Sequence, residues 1–186
     1  MRLIGDFNKR NAQAAKTAAK AIFPDISDAK ADESLKKFQG TWRRFEYKGK
    51  TKRGADVYDD YAHHPTAISL TLDSVKKKFP DKKIVLAFHP HLYSRTRDLF
   101  NDFVMSLSKA DRVLLAPIYP AREEPVPGVT SDALASAIAA KNPNVLSLPS
   151  LEAIRNELEA STGEKDLILT MGAGDIYTVA DVVGKK

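Results

Sequence analysis

Residues 84–97 read Ile-Val-Leu-Ala-Phe-His-Pro-His-Leu-Tyr-Ser-Arg-Thr-Arg. The apolar run Ile84 to Phe88, bounded by Lys83 and His89, has the pattern of a strand buried on both faces of a parallel sheet. Polar residues follow it, and then a helix is expected over 97–108. The same unit recurs on either side. Upstream, a strand at 55–59 enters the polar stretch Asp59 to His64. Pro65, suited to the first turn of a helix, then opens a segment 66–79 in which Ile68, Leu72, Val75 and Phe79 recur at helical spacing. Downstream, strands at 112–116, 144–148 and 166–170 alternate with helices at 131–141 and 150–160, and a last helix runs from near Gly174 to about Val183. This alternation predicts a mostly parallel sheet with helices on both faces. Right-handed crossovers make it a doubly wound, Rossmann-like α/β fold.

Residues 1–39 do not follow the alternation. A helix is expected over 8–22, capped by Asn8 and rich in alanine from Ala12 to Ala21, with Pro24 beyond its end. A second is expected over 27–38, with Ser27 or Asp28 as cap and Leu35 and Phe38 on its apolar side. The pair reads as the helical remnant of a different domain, with a boundary near 38–41 and the α/β domain over 40–186. Between them, Trp42-Arg43-Arg44-Phe45-Glu46-Tyr47 mixes apolar and charged residues as a strand does, and Lys48-Gly49-Lys50 reads as a turn. On this pattern Arg43 and Arg44 are solvated strand positions, and Trp42 packs in the core.

Of the 186 residues, 43% are hydrophobic, enough for a core, and the chain has no cysteine. Disulfides, thiolate metal sites and cysteine nucleophiles are therefore excluded. No apolar run approaches the ~18 residues that span a bilayer, so no membrane insertion is expected. The opening Met1 to Asn8 lacks the layout of a signal peptide, which is compatible with the cytoplasm. The net charge of +5 is spread along the chain rather than gathered on one face, which argues against nucleic acid and suits an anionic small molecule.

Ligands of doubly wound sheets bind outside the carboxyl ends of the strands, and four polar clusters are expected there: 59–65, 89–97, 117–124 and 171–175. All four histidines lie in the first two. Asp60 and the histidines are of metal-ligand type, but adjacent histidines seldom aim both rings at one ion, and no metal site is expected. The reading preferred is a carboxylate, Asp60, that accepts from ribose hydroxyls, with the histidines and the planar fork of Arg95 holding a carboxylate substrate. Gly172-Ala173-Gly174 is either an anion-binding approach to a helix N-terminus or a tight strand-to-helix turn. No Gly-x-x-x-x-Gly-Lys-Ser/Thr phosphate loop occurs in the chain.

In this order the clusters resemble the Mur ligase family. Arg43-Arg44-Phe45-Glu46 is similar to its Arg-Arg-Phe-Glu. Tyr58 to Thr66 reads Tyr-Asp-Asp-Tyr-Ala-His-His-Pro-Thr, Phe88 to Thr96 resembles Phe-Gln-Pro-His-Arg-Tyr-Ser-Arg-Thr, and Met171 to Ile176 reads Met-Gly-Ala-Gly-Asp-Ile. Asn8 and Asn11 look like the pair of the family's His-Asn-x-x-Asn-Ala helix. The likeness is greatest to the member that joins L-alanine to UDP-N-acetylmuramate through an acyl phosphate, in peptidoglycan synthesis. It implies three domains, of which this chain is the end of the central one and the whole carboxy-terminal one. ATP and Mg2+ would be held mainly by the part not present, leaving the chain inactive alone. The resemblance implies that Asn8, Asn11, Arg44 and Asp60 meet the nucleotide and that Tyr61, His63, His91 and Arg95 line the alanine and acyl-phosphate pocket. Arg44, His63 and His91 would be catalytic. His89 stands where the family usually has Gln and Leu92 where it usually has Arg, so Arg95 carries more of the substrate carboxylate. Three alternatives remain: a murein peptide-recycling ligase of the same family, a non-catalytic nucleotide- or anion-binding module, and an interaction domain.

Overall fold

A computed structural model describes residues 4–184; Met1 to Leu3, part of the segment read for a leader, and the last two residues lie outside the described residues. The elements are α1 (Asp6–Ile22), α2 (Asp28–Lys37), β1 (Glu46–Lys50), β2 (Asp56–Asp60), α3 (Pro65–Lys78), β3 (Lys83–Phe88), α4 (Tyr93–Asp98), α5 (Phe100–Leu107), β4 (Arg112–Leu115), α6 (Ser131–Ala139), β5 (Val145–Ser147), α7 (Leu151–Ser161), β6 (Asp166–Met171) and α8 (Tyr177–Val183). The sheet order is β1-β2-β6-β3-β4-β5. Every pairing is parallel except the antiparallel edge pair β1–β2, and the doubly wound α/β expectation holds.

Side-chain alternation in the central strands produces two cores. Ile84, Leu86 and Phe88 of β3, with Leu167, Leu169 and Met171 of β6, pack beneath α3, α5 and α6. Val85 and Ala87, with Ile168 and Leu114, pack beneath α7 and α8. Both faces are apolar because both are covered, so the strands read as continuous runs. The chain passes from β2 over to β3, continues outward through β4 and β5, and returns by α7 to place β6 between β2 and β3. The carboxyl ends of β2, β6 and β3 are therefore adjacent, although residues 60 and 171 are far apart in sequence.

Several local expectations are corrected. Trp42 to Phe45 is not strand: Arg43 and Phe45 have φ of 55° and 49°, and pairing starts at Glu46 opposite Asp59. The cause is tertiary, since the Phe45 N–H donates to the Asp60 carboxylate at 2.8 Å and the Arg43 N–H to Glu46 at 3.0 Å. Trp42 is 66% exposed, not core. Lys48 to Lys50 belongs to β1, where an irregularity between Tyr47 and Gly49 shifts the register, and the turn lies at 51–54. The expected helix 97–108 is two helices broken at Leu99 (φ −110°, ψ 22°). The first begins at Tyr93 because the Glu123 carboxylate, from a distant loop, accepts from the backbone N–H and hydroxyl of Ser94. Asn8 is inside α1, not its cap; Gly5 is the cap, and the Asn8 amide donates to the Ile4 carbonyl at 2.7 Å. Ser27 caps α2 as expected. Neither α1 nor α2 buries a residue, and Phe38 is 41% exposed.

Phe88 is fully buried at the end of β3, 5.6 Å from the Phe103 ring. Phe88→Ala is expected to lower stability by about 3–5 kcal/mol, read as a shifted urea midpoint with an unchanged slope.

Candidate functional site

The rim at the carboxyl ends of β2, β6 and β3 is organised around Arg43. Its side chain is 2% exposed. Nε donates to Asp59 at 2.7 Å, Nη2 to the Gly172 carbonyl at 2.6 Å and Nη1 to the Gly174 carbonyl at 3.1 Å. Asp59, fully buried, also accepts from Thr170 Oγ1 at 2.6 Å. The Tyr61 N–H donates to the Arg43 carbonyl at 2.7 Å, and the guanidinium lies 5.1 Å from the Tyr61 ring and 4.9 Å from that of Tyr177. One arginine thus pins the loop after β2 to the loop after β6. Arg43 is therefore not a solvated strand position, and the helix after β2 is capped by His64, whose ring accepts from the Thr66 N–H. The carbonyls of Gly172 and Gly174 face a cation, which holds this loop in a tight turn. Gly172 is obligatory there: φ is 142°, and a Cβ would fall 2.6 Å from the His89 carbonyl oxygen.

The loops after β3 and β4 are joined to each other. The Leu92 N–H donates to the Tyr119 carbonyl at 2.9 Å, and the Tyr119 N–H to that of Pro90 at 2.8 Å. The Tyr119 ring stacks on His91 (5.3 Å, 18°) and meets His89 edge-on at 5.6 Å. Tyr119 and Glu123 organise the rim but were not singled out by residue type, because their partners lie on another loop.

The candidate residues fall into two sets that meet at Arg44. Asn8, Asn11, Arg44 and Asp60 line a cleft of ≈ 750 Å³ that α1 and α2 form with the α/β domain. Both Asp60 oxygens already accept backbone N–H groups, from Phe45 and Ala62, each at 2.8 Å. Burial raises the Asp60 pKa against those bonds and against Arg44. Its carboxylate therefore fixes the cleft wall rather than standing free. The second set forms a chain of contacts. The Arg44 guanidinium lies 6.0 Å from the Tyr61 ring. The rings of Tyr61 and His63 are 5.3 Å apart, those of His63 and His91 6.4 Å. Arg95 Nη1 reaches His91 Nδ1 at 3.3 Å. Burial, with Arg95 nearby, lowers the pKa of both His63 and His91 and so favours their neutral forms. Among the described residues no group of three or more Asp, Glu or His is placed to hold a metal.

Residues 43–174 match the glutamate ligase domain of the Mur ligases. UDP-N-acetylmuramate–L-alanine ligase of Lawsonia intracellularis is 43% identical over 176 residues, 94% of this chain and 38% of that protein. Among solved structures, the UDP-N-acetylmuramate-alanine ligase of Thermotoga maritima superposes with a TM-score of 0.78 at 25% identity, over 96% of this chain and 37% of the other. A murein peptide ligase of Psychrobacter arcticus gives 0.60 at 26%, over 96% and 38%. The chain thus spans less than two-fifths of the length of each of these relatives.

Two predictions follow from this geometry. Arg43→Ala strands the Asp59 carboxylate and should cost about 3–5 kcal/mol by chemical denaturation, while Trp42→Ala should shift the midpoint little. His89 is 6% exposed, and burial pushes its pKa from 6.5 down to about 4. The unfolded chain therefore binds a proton there that the folded one does not. Stability should fall as pH drops from 6.5 toward 4, and His89→Gln should flatten that slope in denaturation midpoints measured across the interval.

Proposed function

The chain belongs to the Mur ligase family, and we propose that it is the amino-acid-accepting part of an ATP-dependent ligase that joins L-alanine to UDP-N-acetylmuramate. Residues 1–39 are then the end of the central domain and residues 40–186 the carboxy-terminal domain. The match beginning at residue 43 and two helices that bury nothing support that division. The observation that carries the reading is Arg44. It borders the cleft with Asn8, Asn11 and Asp60 and also contacts the Tyr61–His63–His91–Arg95 chain, the position required of a cation that meets a phosphate while the amine arrives from the other side.

A cleft of ≈ 750 Å³ is of the size that holds a nucleotide, and amide side chains with an arginine at its edge suit one. When bound, ATP supplies the phosphoryl group that activates the muramate carboxylate as an acyl phosphate. Among the described residues no group of three or more Asp, Glu or His is placed to hold Mg2+. Arg44 offsets phosphate charge, Arg95 holds the alanine carboxylate, and the rings of Tyr61, His63 and His91 shape the space between them. Such catalysis is largely positioning and charge stabilisation. The isolated chain is then inactive, and its place is cytoplasmic, where the nucleotide substrates are.

A fusion of this chain behind the first two domains of the Lawsonia intracellularis relative tests the reading. The fusion should ligate L-alanine and the chain alone should not. Arg44→Ala in the fusion should cut turnover about 10²–10³-fold with unchanged thermal unfolding. Turnover with a tripeptide and none with alanine would transfer the chain to the peptide-recycling branch.

A further inference from the structure

The two histidines at the centre of the contact chain have different hydrogen-bond partners, and the partners decide where each ring carries its proton. His63 Nδ1 lies 3.1 Å from the Tyr61 backbone carbonyl oxygen. A carbonyl only accepts, so Nδ1 must carry the hydrogen, which leaves a lone pair on Nε2. His91 Nδ1 lies 3.3 Å from Arg95 Nη1. Arg95 Nη1 also lies 3.3 Å from the His91 carbonyl oxygen; because a guanidinium only donates, its contact with the ring is a hydrogen bond when Nδ1 holds the lone pair and Nε2 the hydrogen. The Tyr119 ring stacked on His91 holds that orientation. Two neutral rings with centroids 6.4 Å apart thus present opposite chemistry, one a proton acceptor and the other a proton donor.

We propose that His63 is the general base that takes a proton from the incoming ammonium and that His91 is the donor that stabilises the oxyanion formed on the acyl phosphate. This rests on the ligase reading above and assigns the separate roles within it. His63 Nε2 accepts one proton from the alanine ammonium. The freed nitrogen lone pair forms a bond to the acyl carbon, and the carbonyl electrons move onto oxygen, where His91 Nε2–H donates to the charge. The carbon–oxygen bond to phosphate then breaks, and phosphate leaves with that electron pair and the second N–H proton. The products are the amide, hydrogen phosphate and protonated His63, which returns its proton to solvent.

The electrostatic surroundings suit these roles. His63 faces Arg44, His64 and Arg95, and His91 faces Arg95, His63 and Glu123. Burial is the larger cause, and the cations that outnumber the single carboxylate add to it, so the charged form of both rings is disfavoured. Leu92 contributes no charge at the position where the family usually has Arg, which leaves Arg95 to act on both the substrate and His91 Nδ1.

Nitrogen-15 NMR of the histidine side chains in this chain reads the tautomers directly. Nδ1–H for His63 and Nε2–H for His91 are expected. An Nε2–H form of His63, or an Nδ1–H form of His91 turned to its own carbonyl, overturns the division of roles while the ligase reading stands. In the fusion, hydroxylamine replaces alanine as an amine already unprotonated at neutral pH and needing no base. His63→Asn keeps a donor for the Tyr61 carbonyl. It should lower alanine ligation about 10²–10⁴-fold, with a rate that climbs with pH as alanine itself deprotonates, yet still form hydroxamate. His91→Ala should lose both reactions, and His91→Gln, which restores a donor, should recover part of both. Equal loss of both reactions in His63→Asn overturns the proposal. Absence of both products from the unsubstituted fusion overturns the ligase reading instead.

Discussion

A guanidinium taken out of water needs a carboxylate and acceptors for its remaining hydrogens, and Arg43 finds them on three separate parts of the chain: Asp59, Gly172 and Gly174. The net contribution of such a pair to stability is small, because desolvation offsets most of the attraction. Its geometric effect is larger. With Arg43 satisfied, the left-handed residues Arg43 and Phe45 are held, the Phe45 N–H is aimed at Asp60, and the Tyr61 backbone is tied down. Arg44, next in the chain, is thereby turned outward to the rim. The buried arginine positions the exposed one.

The sheet supplies the other half of the arrangement. Because β6 enters between β2 and β3, loops from opposite ends of the domain meet at one edge. The backbone of Gly172 passes so close to His89 that no side chain fits between them. The loop after β4 is then drawn in by pairing with residues 90–92 and by the grip of Glu123 on Ser94. Four loops are locked by backbone contacts and short polar links rather than by an apolar plug, which leaves the rim polar and open to a ligand.

Electrostatics at that rim are set by burial as much as by charge. His63, His89 and His91 are all held toward their neutral forms, with burial the leading cause in each. A neutral imidazole beside arginines is able to accept or donate a single proton, where an imidazolium would only repel an ammonium. His89 differs from the other two: its Nδ1 has no partner among the described residues and is shut off from solvent, so it packs beneath Tyr119 rather than facing the cleft.

The amino-acid sequence by itself determined the layered α/β architecture, the positions of the four rim loops and the family, because apolar periodicity and short motifs are local properties. Pro65 at the start of α3, Ser27 as a cap and the double-sided apolar runs of β3 and β6 were all legible for that reason. The same local reasoning put Trp42 in the core, Arg43 on a solvated strand, Asn8 at a cap and the start of α4 four residues late. Arg43 and the start of α4 were decided by partners more than ten residues away, Gly172 for Arg43 and Glu123 for Ser94, whereas Trp42 stays 66% exposed and Asn8 turns its amide to the nearby Ile4 carbonyl. Only the tertiary structure decided which arginine is buried and which loops meet at the rim. A side chain's hydrogen-bond partners are not encoded in its own neighbourhood when the sheet order brings together strands that are distant in sequence.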